Sequence, residues 1–359
     1  MKIARFFLGL CALALVAAGA SAARGQQPFA VIPPLAEPQL VILDTDIGDD
    51  IDDAFALALA LRSPELRILG ITTTFGDTEL RAKLLDRFLS ATDQRIDVVP
   101  GVPTPHNNVL TQAAYAGWES SAACFGAGSI LFTTNLLTTK DAARLERVTG
   151  QQQNHDAVGF LLDQIKAHPG RITLIAIGPL FNVQAAIERD PATFRQLKRV
   201  VLMGGSVYRG YDGANGERRA PDAEWNIDRD PAGAKALLAT GVPVFMMPLD
   251  STQIHLEADA REKIFSHGSP LTDQLTLLYH QWLAGNDGHA AAPTLFDPVA
   301  VAYAVRPDLC PAKPMRLEVD DKGFTRPVEG APNVQVCLQS DEKGFLKFYL
   351  GRVVGETTR

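Results

Sequence analysis

Apolar and polar positions alternate between two periods along most of this chain. Short apolar runs at Leu40–Asp44, Leu66–Thr73, Ile96–Val99, Ile172–Ile177, Arg199–Met203 and Val242–Met247 read as buried strands. Between them, amphipathic or apolar stretches read as helices: Asp52–Leu61 ended by Ser63-Pro64, Thr78–Ala91, His155–Ala167 stopped by His168-Pro-Gly, Leu180–Arg189 and Pro231–Ala239. Strands alternating with helices predict an α/β fold, an open and mostly parallel central sheet with helices on both faces. Three segments break the pattern. Gly101–Gly150 is polar and irregular, Tyr208–Trp225 is Gly-rich and charged, and Thr252–Leu295 is helical but loosely patterned. Long loops of this kind commonly carry binding residues. Met315–Leu338 alternates around Lys322-Gly323 and predicts a terminal hairpin.

Ligands of such sheets bind beyond the carboxyl ends of the strands. Asp44, Asp46, Asp77, Gly178 and Gly204 all fall at predicted strand ends. The densest chemistry lies where the first strand gives way to the first helix. Six carboxylates occur between Asp44 and Asp53, in Asp44-Thr-Asp-Ile-Gly-Asp-Asp-Ile-Asp-Asp53. Like charges this close repel strongly, and a fold accommodates them with a cation or shared protons. An all-oxygen ligand set favours a hard ion such as Ca²⁺ or Mg²⁺. A solvated acidic loop capping a helix is the plain alternative.

Four further groups fall at strand or helix ends. Asp77 closes Thr72-Thr-Thr-Phe-Gly-Asp77 and reads equally as a helix cap, a role for which Thr78 competes. Gly178-Pro179 follows a strand and opens a backbone carbonyl, although by itself a simple strand-to-helix turn is the plainer reading. Met203-Gly-Gly ends another strand, with Glu224-Trp-Asn226 beyond the loop. Asp297 stands at a helix start before Pro298, where an N-cap is the simplest reading.

Composition narrows the setting. Lys2 and Arg5, the apolar run Phe6–Ala18 and Ala20-Ser-Ala22 have the form of a cleavable export signal over residues 1–22. Residues 23–39, rich in Pro and Gln, predict a flexible lead-in, and residues 40–350 a single α/β domain. The apolar run is too short to span a bilayer stably, so no membrane association is expected after cleavage. A net charge of −7 disfavours nucleic acid as a partner. Beyond the leader, the cysteines are Cys124, Cys310 and Cys337, with no CxxC pair, which disfavours zinc and iron–sulfur sites. Cys310 with Cys337 is the most plausible disulfide of an exported chain, against the alternative of three inert thiols.

Taken together, these segments resemble the nucleoside hydrolase family of the inosine–uridine-preferring type. The resemblance rests on Asp44-Thr-Asp46 with Gly48 and Asp52-Asp-Ala54, then Thr72–Asp77, His155-Asp-Ala-Val158, Gly178-Pro-Leu180, Val201–Gly205, Glu224-Trp-Asn226 with Asp230-Pro231, and Asp297-Pro-Val-Ala300. It spans residues 40 to about 340. It implies hydrolysis of a ribonucleoside to free base and ribose. Asp46, Asp53, Asp297 and the Ile177 carbonyl would bind Ca²⁺, with the ribose 2′- and 3′-hydroxyls and one water completing the shell. Asp46 would be the general base for that water. Asp52, Asp77 and Asn226 would bind the ribose diol, Glu224 the 5′-hydroxyl, and Met203 would line the sugar pocket. A homodimer or homotetramer is implied as well.

The chain departs from that pattern in four places. Its Gly48 loop is longer by two residues, Asp49 and Asp50. Asp77 stands where many members have Asn. The Asn that helps hold the 5′-hydroxyl has no clear match, Asn215 being a weak candidate. Phe296 precedes Asp297 where the inosine–uridine enzymes carry a His that protonates the leaving base. Purine-specific members have an aromatic residue there and stack the base between rings, so a purine preference is one expectation, with Trp118 or Trp225 as Phe296's partner. The other is that Phe296 only packs, and that His106, His280 or His289 supplies the proton. Two other functions fit parts of the pattern. A phosphatase of the haloacid dehalogenase type suits Asp44-Thr-Asp46, but a downstream Lys and acidic pair to match are lacking. A non-catalytic Ca²⁺-dependent ribose or nucleoside binder is compatible with the missing His, although a binder has no need of Asp46 as a base.

Overall fold

The computed structural model describes residues 37–105, 110–116, 156–213, 216–286 and 292–355. The expected leader and most of the lead-in, with Cys124, Trp118, Asn215, His106, His155 and His289, lie outside the described residues.

The first half of the chain builds the strand–helix alternation. Strand β1 (Gln39–Thr45) leads through the acidic loop into α1 (Asp52–Leu61), and β2 (Leu66–Thr73) into α2 (Thr78–Ala91). Then come β3 (Val98–Pro100), α3 (Ala157–Ala167), β4 (Ile172–Ala176), α4 (Phe181–Arg189), the short α5 (Pro191–Phe194) and β5 (Arg199–Met203). The second half adds α6 (Trp225–Arg229), α7 (Pro231–Ala239), β6 (Val244–Met247), α8 (Leu249–Thr252), α9 (Ala258–Phe265), α10 (Pro270–Gly285) and α11 (Phe296–Val305). The strands β7 (Ala312–Met315), β8 (Leu317–Val319), β9 (Thr325–Pro327) and β10 (Val334–Cys337) precede the last helix, α12 (Glu342–Val353).

Eight of these strands form one sheet in the order β3-β2-β1-β4-β5-β6-β10-β7. Every pair is parallel except β10 with β7. Alternate residues of β1 enter different cores. Val41 and Leu43 pack on the face covered by α1, α10, α11 and α12, whereas Leu40 and Ile42 pack with α3, α4 and α7 on the other. A strand buried on both faces has to be apolar throughout, which is why these strands read as continuous runs rather than alternations. The mostly parallel α/β sheet covered on both faces therefore matches the expectation.

The C-terminal hairpin is present and extended. β8 and β9 pair around a turn at Gly323 with φ +77°, and outside them β10 pairs antiparallel with β7, Val334 opposite Met315. The addition is that Val334–Cys337 also joins the main sheet beside β6. The reason is burial: Val334, Val336 and Cys337 are all buried, so this run needs cover on both faces, which a terminal hairpin does not provide. Cys310 and Cys337 form a disulfide with Cα atoms 5.6 Å apart, tying the segment after α11 to β10. The loosely patterned Thr252–Leu295 resolves into α9 and α10, the latter opened by a capping box at Ser269.

The strand order reverses beside β1, with β2 on one side and β4 on the other. The crevice at that switch point, beyond the carboxyl ends of β1 and β4, is where an open α/β sheet places its ligand.

Candidate active site

Residues from six strand or helix ends meet in that crevice. Asp46 follows β1, and Asp52 and Asp53 form the first turn of α1. Ile177 follows β4, and Met203 ends β5. Glu224 and Asn226 sit at the start of α6, and Phe296 and Asp297 open α11. All nine line one cavity of about 370 Å³, together with Asp49, Asp50, Tyr211 and Trp225. No lysine, arginine or histidine is among the described residues that line it.

The carboxylates are almost wholly shielded. Asp46 is 6% exposed, Asp52 and Asp53 are each 4% and Asp297 is 3%. Carboxylate oxygens of Asp52, Asp53 and Asp297 all lie within 4.8 Å of one another. Desolvation, then the neighbouring charges, pushes each of these three carboxyls well above the ordinary carboxylate range. Burial pushes Asp46 up to about 7, opposed by the charge of Arg81 and assisted by that of Asp49. Buried acids so placed share protons or surround a cation. Their chemistry, oxygen donors only, fits a hard divalent cation, and the triad is able to hold one. Of the ligand set expected from the resemblance, Asp53 and Asp297 belong to this triad together with Asp52, and Asp46 and Ile177 line the same cavity.

Local bonding explains how each group is aimed. The Thr45 hydroxyl donates to Asp53 and also accepts the Ile47 N–H. The Asp297 N–H donates to Asp52 Oδ2 at 3.1 Å, which joins the start of α11 to that of α1. Asp297 is the second residue of α11, whose N-cap position is Leu295, so the plain N-cap reading does not describe it. Gly178 stands where a Cβ would come within 2.8 Å of Asp46 Oδ1, so no larger residue fits beside that carboxylate. Asp44 is buried and does not line the cavity. Its Oδ1 accepts from Thr72 and Asn182, and burial lifts its carboxyl to about 6.

On the opposite wall, Glu224 accepts backbone N–H bonds from Gly205, Asn226 and Ile227 at 2.8, 3.0 and 3.2 Å. Burial nevertheless lifts it to about 7. The Asn226 amide donates to the carbonyls of Met203 and Ile177, at 3.1 and 3.4 Å. Aromatic rings form the rest. Phe296 and Tyr211 meet edge to face with centroids 6.0 Å apart, and the Tyr211 hydroxyl accepts the main-chain N–H of Trp225 at 2.9 Å.

Asp77 is the exception among the predicted site residues. It is exposed, does not line the cavity, and accepts the Leu80 N–H at 2.9 Å as the N-cap of α2. The capping alternative is therefore the one observed, because the chain turns from β2 into α2 at that point and the free helix N–H groups compete for the carboxylate. His280 is exposed and packs on Phe265 and Tyr279, away from the lining. Tyr211, Asp49 and Asp50 line the site without having been assigned a role. Tyr211 sits in an aperiodic loop, where pattern carries no information about direction.

Comparison with known proteins agrees with this geometry. Residues 41–347 match the family described as inosine-uridine preferring nucleoside hydrolase. The chain is 30% identical over 290 residues to a pyrimidine-specific ribonucleoside hydrolase, RihB, of Escherichia coli O1:K1, covering 79% of this chain and 84% of the relative. The RihB of Shigella sonnei matches to the same extent. Among solved structures, a plant nucleoside hydrolase superposes with a TM-score of 0.70 at 23% identity, covering 88% of this chain and 99% of that one. A purine-preferring ribonucleoside hydrolase from Gardnerella vaginalis gives 0.68 at 24% identity, covering 88% and 98%. The family match over most of the chain, with acidic residues from both its ends meeting in one crevice, shows that this protein belongs to the inosine-uridine preferring nucleoside hydrolase family and is a ribonucleoside hydrolase.

Proposed function

We propose that this chain is an exported, Ca²⁺-dependent hydrolase of ribonucleosides with a preference for purines, giving free base and ribose. The observation that carries the reading is the pairing, in one cavity, of a buried acidic cluster with a wall of Phe296, Tyr211 and Trp225. Asp52, Asp53 and Asp297 would hold the ion, with Asp46 and the Ile177 carbonyl beside them. The ion supplies Lewis acidity and the positive charge that lets these carboxylates stay ionised.

The remaining chemistry belongs to the protein's own groups. Asp46 accepts the proton of the water that attacks C1′, a task for which a carboxylate lifted toward neutrality is suited. Asn226, already aimed by two carbonyls, and Asp52 take the ribose diol, and Glu224 takes the 5′-hydroxyl. The surrounding carboxylates stabilise the positive charge that develops on the sugar ring as the N-glycosidic bond breaks. A site that bonds each hydroxyl disfavours 2′-deoxyribose, because the missing group leaves a buried partner unpaired.

Phe296 has no proton to give, so the base is taken to be stacked against the aromatic wall and protonated by solvent. The relatives differ in the bases they are named for, pyrimidines in RihB and purines in the Gardnerella vaginalis enzyme. The preference is therefore argued from this chain's own rings. Export is supported by the leader-like N-terminus and by the Cys310–Cys337 disulfide, which suits an oxidising compartment. A homodimer or homotetramer is expected, to be read by light scattering.

The test is reducing-sugar release from a panel of ribonucleosides by the chain lacking residues 1–22, with and without a Ca²⁺ chelator. Chelator-sensitive release, faster from inosine and guanosine than from uridine and cytidine, is expected. Release favouring pyrimidines would overturn the stacking argument. Release restored by Mg²⁺ as well as by Ca²⁺ would overturn the assignment of the ion.

A further inference from the structure

The two extra residues of the Gly48 loop are bonded on both sides. The Thr111 hydroxyl donates to the Asp49 carbonyl at 2.6 Å, and the Gln112 amide to the Asp50 carbonyl at 2.8 Å. On the other side stands Arg81 of α2, at 0% exposure. Its Nε donates to the Phe75 carbonyl at 2.8 Å. Its Nη1 donates to the carbonyls of Asp46 and, at 2.9 Å, Ile47. Its Nη2 donates to Asp49 Oδ2 at 2.8 Å. The guanidinium also lies 5.8 Å from the centroid of the Phe75 ring.

Four acceptors on one planar group leave it a single orientation. Three of them are main-chain carbonyls, two from the turn that carries Asp46 and one from Phe75 in the turn after β2. The fourth is the carboxylate added by the longer loop. A buried guanidinium without a counter-charge is strongly unfavourable; Asp49 is the carboxylate bonded to Arg81 directly, and the charges of Asp46 and Asp53 act on it through space. Arg81 does not itself line the cavity.

We propose that Arg81, charge-balanced by the inserted Asp49, is a positioning residue for Asp46, clamping the Asp46–Ile47 main chain so that the Asp46 carboxylate is held in the cavity. The proposal rests on the reading of Asp46 as general base. It gives the longer loop a purpose distinct from ion binding: Asp49 secures the clamp.

Arg81→Lys tests it, because lysine keeps the charge and loses the planar fork. The expected result is a kcat lowered by roughly 10- to 100-fold with KM nearly unchanged, the mark of lost orientation. Amide hydrogen exchange of the segment 45–53 in cation-free protein should also become faster. Arg87→Met is the control. Arg87 lies on the same helix but donates to the Tyr115 carbonyl and covers the Tyr115 ring. It should lower the melting temperature and leave kcat as it was. Folded Arg81→Lys protein with wild-type kcat and unaltered exchange overturns the proposal, as does an equal loss of kcat in Arg87→Met. Should Arg81→Lys fail to fold, Asp49→Asn reads the same clamp: a smaller loss of kcat at constant KM supports it, and wild-type kcat overturns it. A wild type that hydrolyses no ribonucleoside overturns the catalytic reading itself, an outcome distinct from an active wild type indifferent to Arg81.

Discussion

Opposing influences meet at Asp46. Burial and the charge of Asp49 raise its carboxyl, Arg81 lowers it, and the balance falls at about 7. A divalent cation beside it would bring it back toward ionisation, so the group could accept a proton at neutral pH. Asp46→Asn keeps the shape and removes the base. It is expected to lower kcat by roughly 10²- to 10⁴-fold while ribose still binds, as titration calorimetry would show; an undiminished kcat would remove Asp46 from the mechanism. Most of this site was legible because Asp46, Asp52, Asp53, Ile177, Met203, Glu224, Asn226, Phe296 and Asp297 all lie in short segments at strand or helix ends, where topology forces convergence. Arg81 was not legible. On paper it belongs to the polar face of an amphipathic helix, and only the folded loop shows that it turns inward.

Among the elements, α2 and α11 begin alike in sequence and differently in fact. Each has an aspartate at a strand-to-helix or loop-to-helix turn, and a cap and a ligand look the same there. Asp77 caps α2, while Asp297 is the second residue of α11 and lines the cavity. The difference is set by whether the turn opens toward the crevice at β1 and β4, which depends on strand order rather than on local pattern. Asp77→Ala is therefore expected to cost about 1 kcal/mol of stability, the usual loss of an N-cap, with kcat and KM for a ribonucleoside unchanged. A raised KM at undiminished stability would restore Asp77 to the ribose site. The C-terminal strands carry the same lesson. Alternation around Lys322-Gly323 was real, but Val334–Cys337 is buried and so completes the main sheet.

For the whole molecule, the buried acids couple stability to pH. Asp44 is lifted to about 6, and Asp46 and Glu224 to about 7. Unfolded carboxyls titrate near 4. Between about pH 4 and 7 the folded protein thus holds more protons than the unfolded chain, and stability falls as pH rises through that window. Cation-free protein is expected to melt at a higher temperature at pH 5 than at pH 8. Added Ca²⁺ should raise the melting temperature more at pH 8, where the ligands are ionised; equal shifts at the two pH values would place the ion elsewhere. The disulfide acts independently of pH. It joins residues 27 apart, and closing a loop of that length is worth roughly 3–4 kcal/mol by restricting the unfolded chain. Urea unfolding of the Cys310→Ser/Cys337→Ser protein should lose about that much; no loss would mean that the fold alone holds β10 in place.

The Asp52–Asp297 bond spans 245 residues of sequence. During synthesis the acidic loop leaves the ribosome long before the helix that completes the cluster. Neither part alone carries all three clustered carboxylates, and contacts of such separation are slow to form. The ion can therefore reward only the finished chain, so uptake of the cation would report that folding is complete, not guide its early steps.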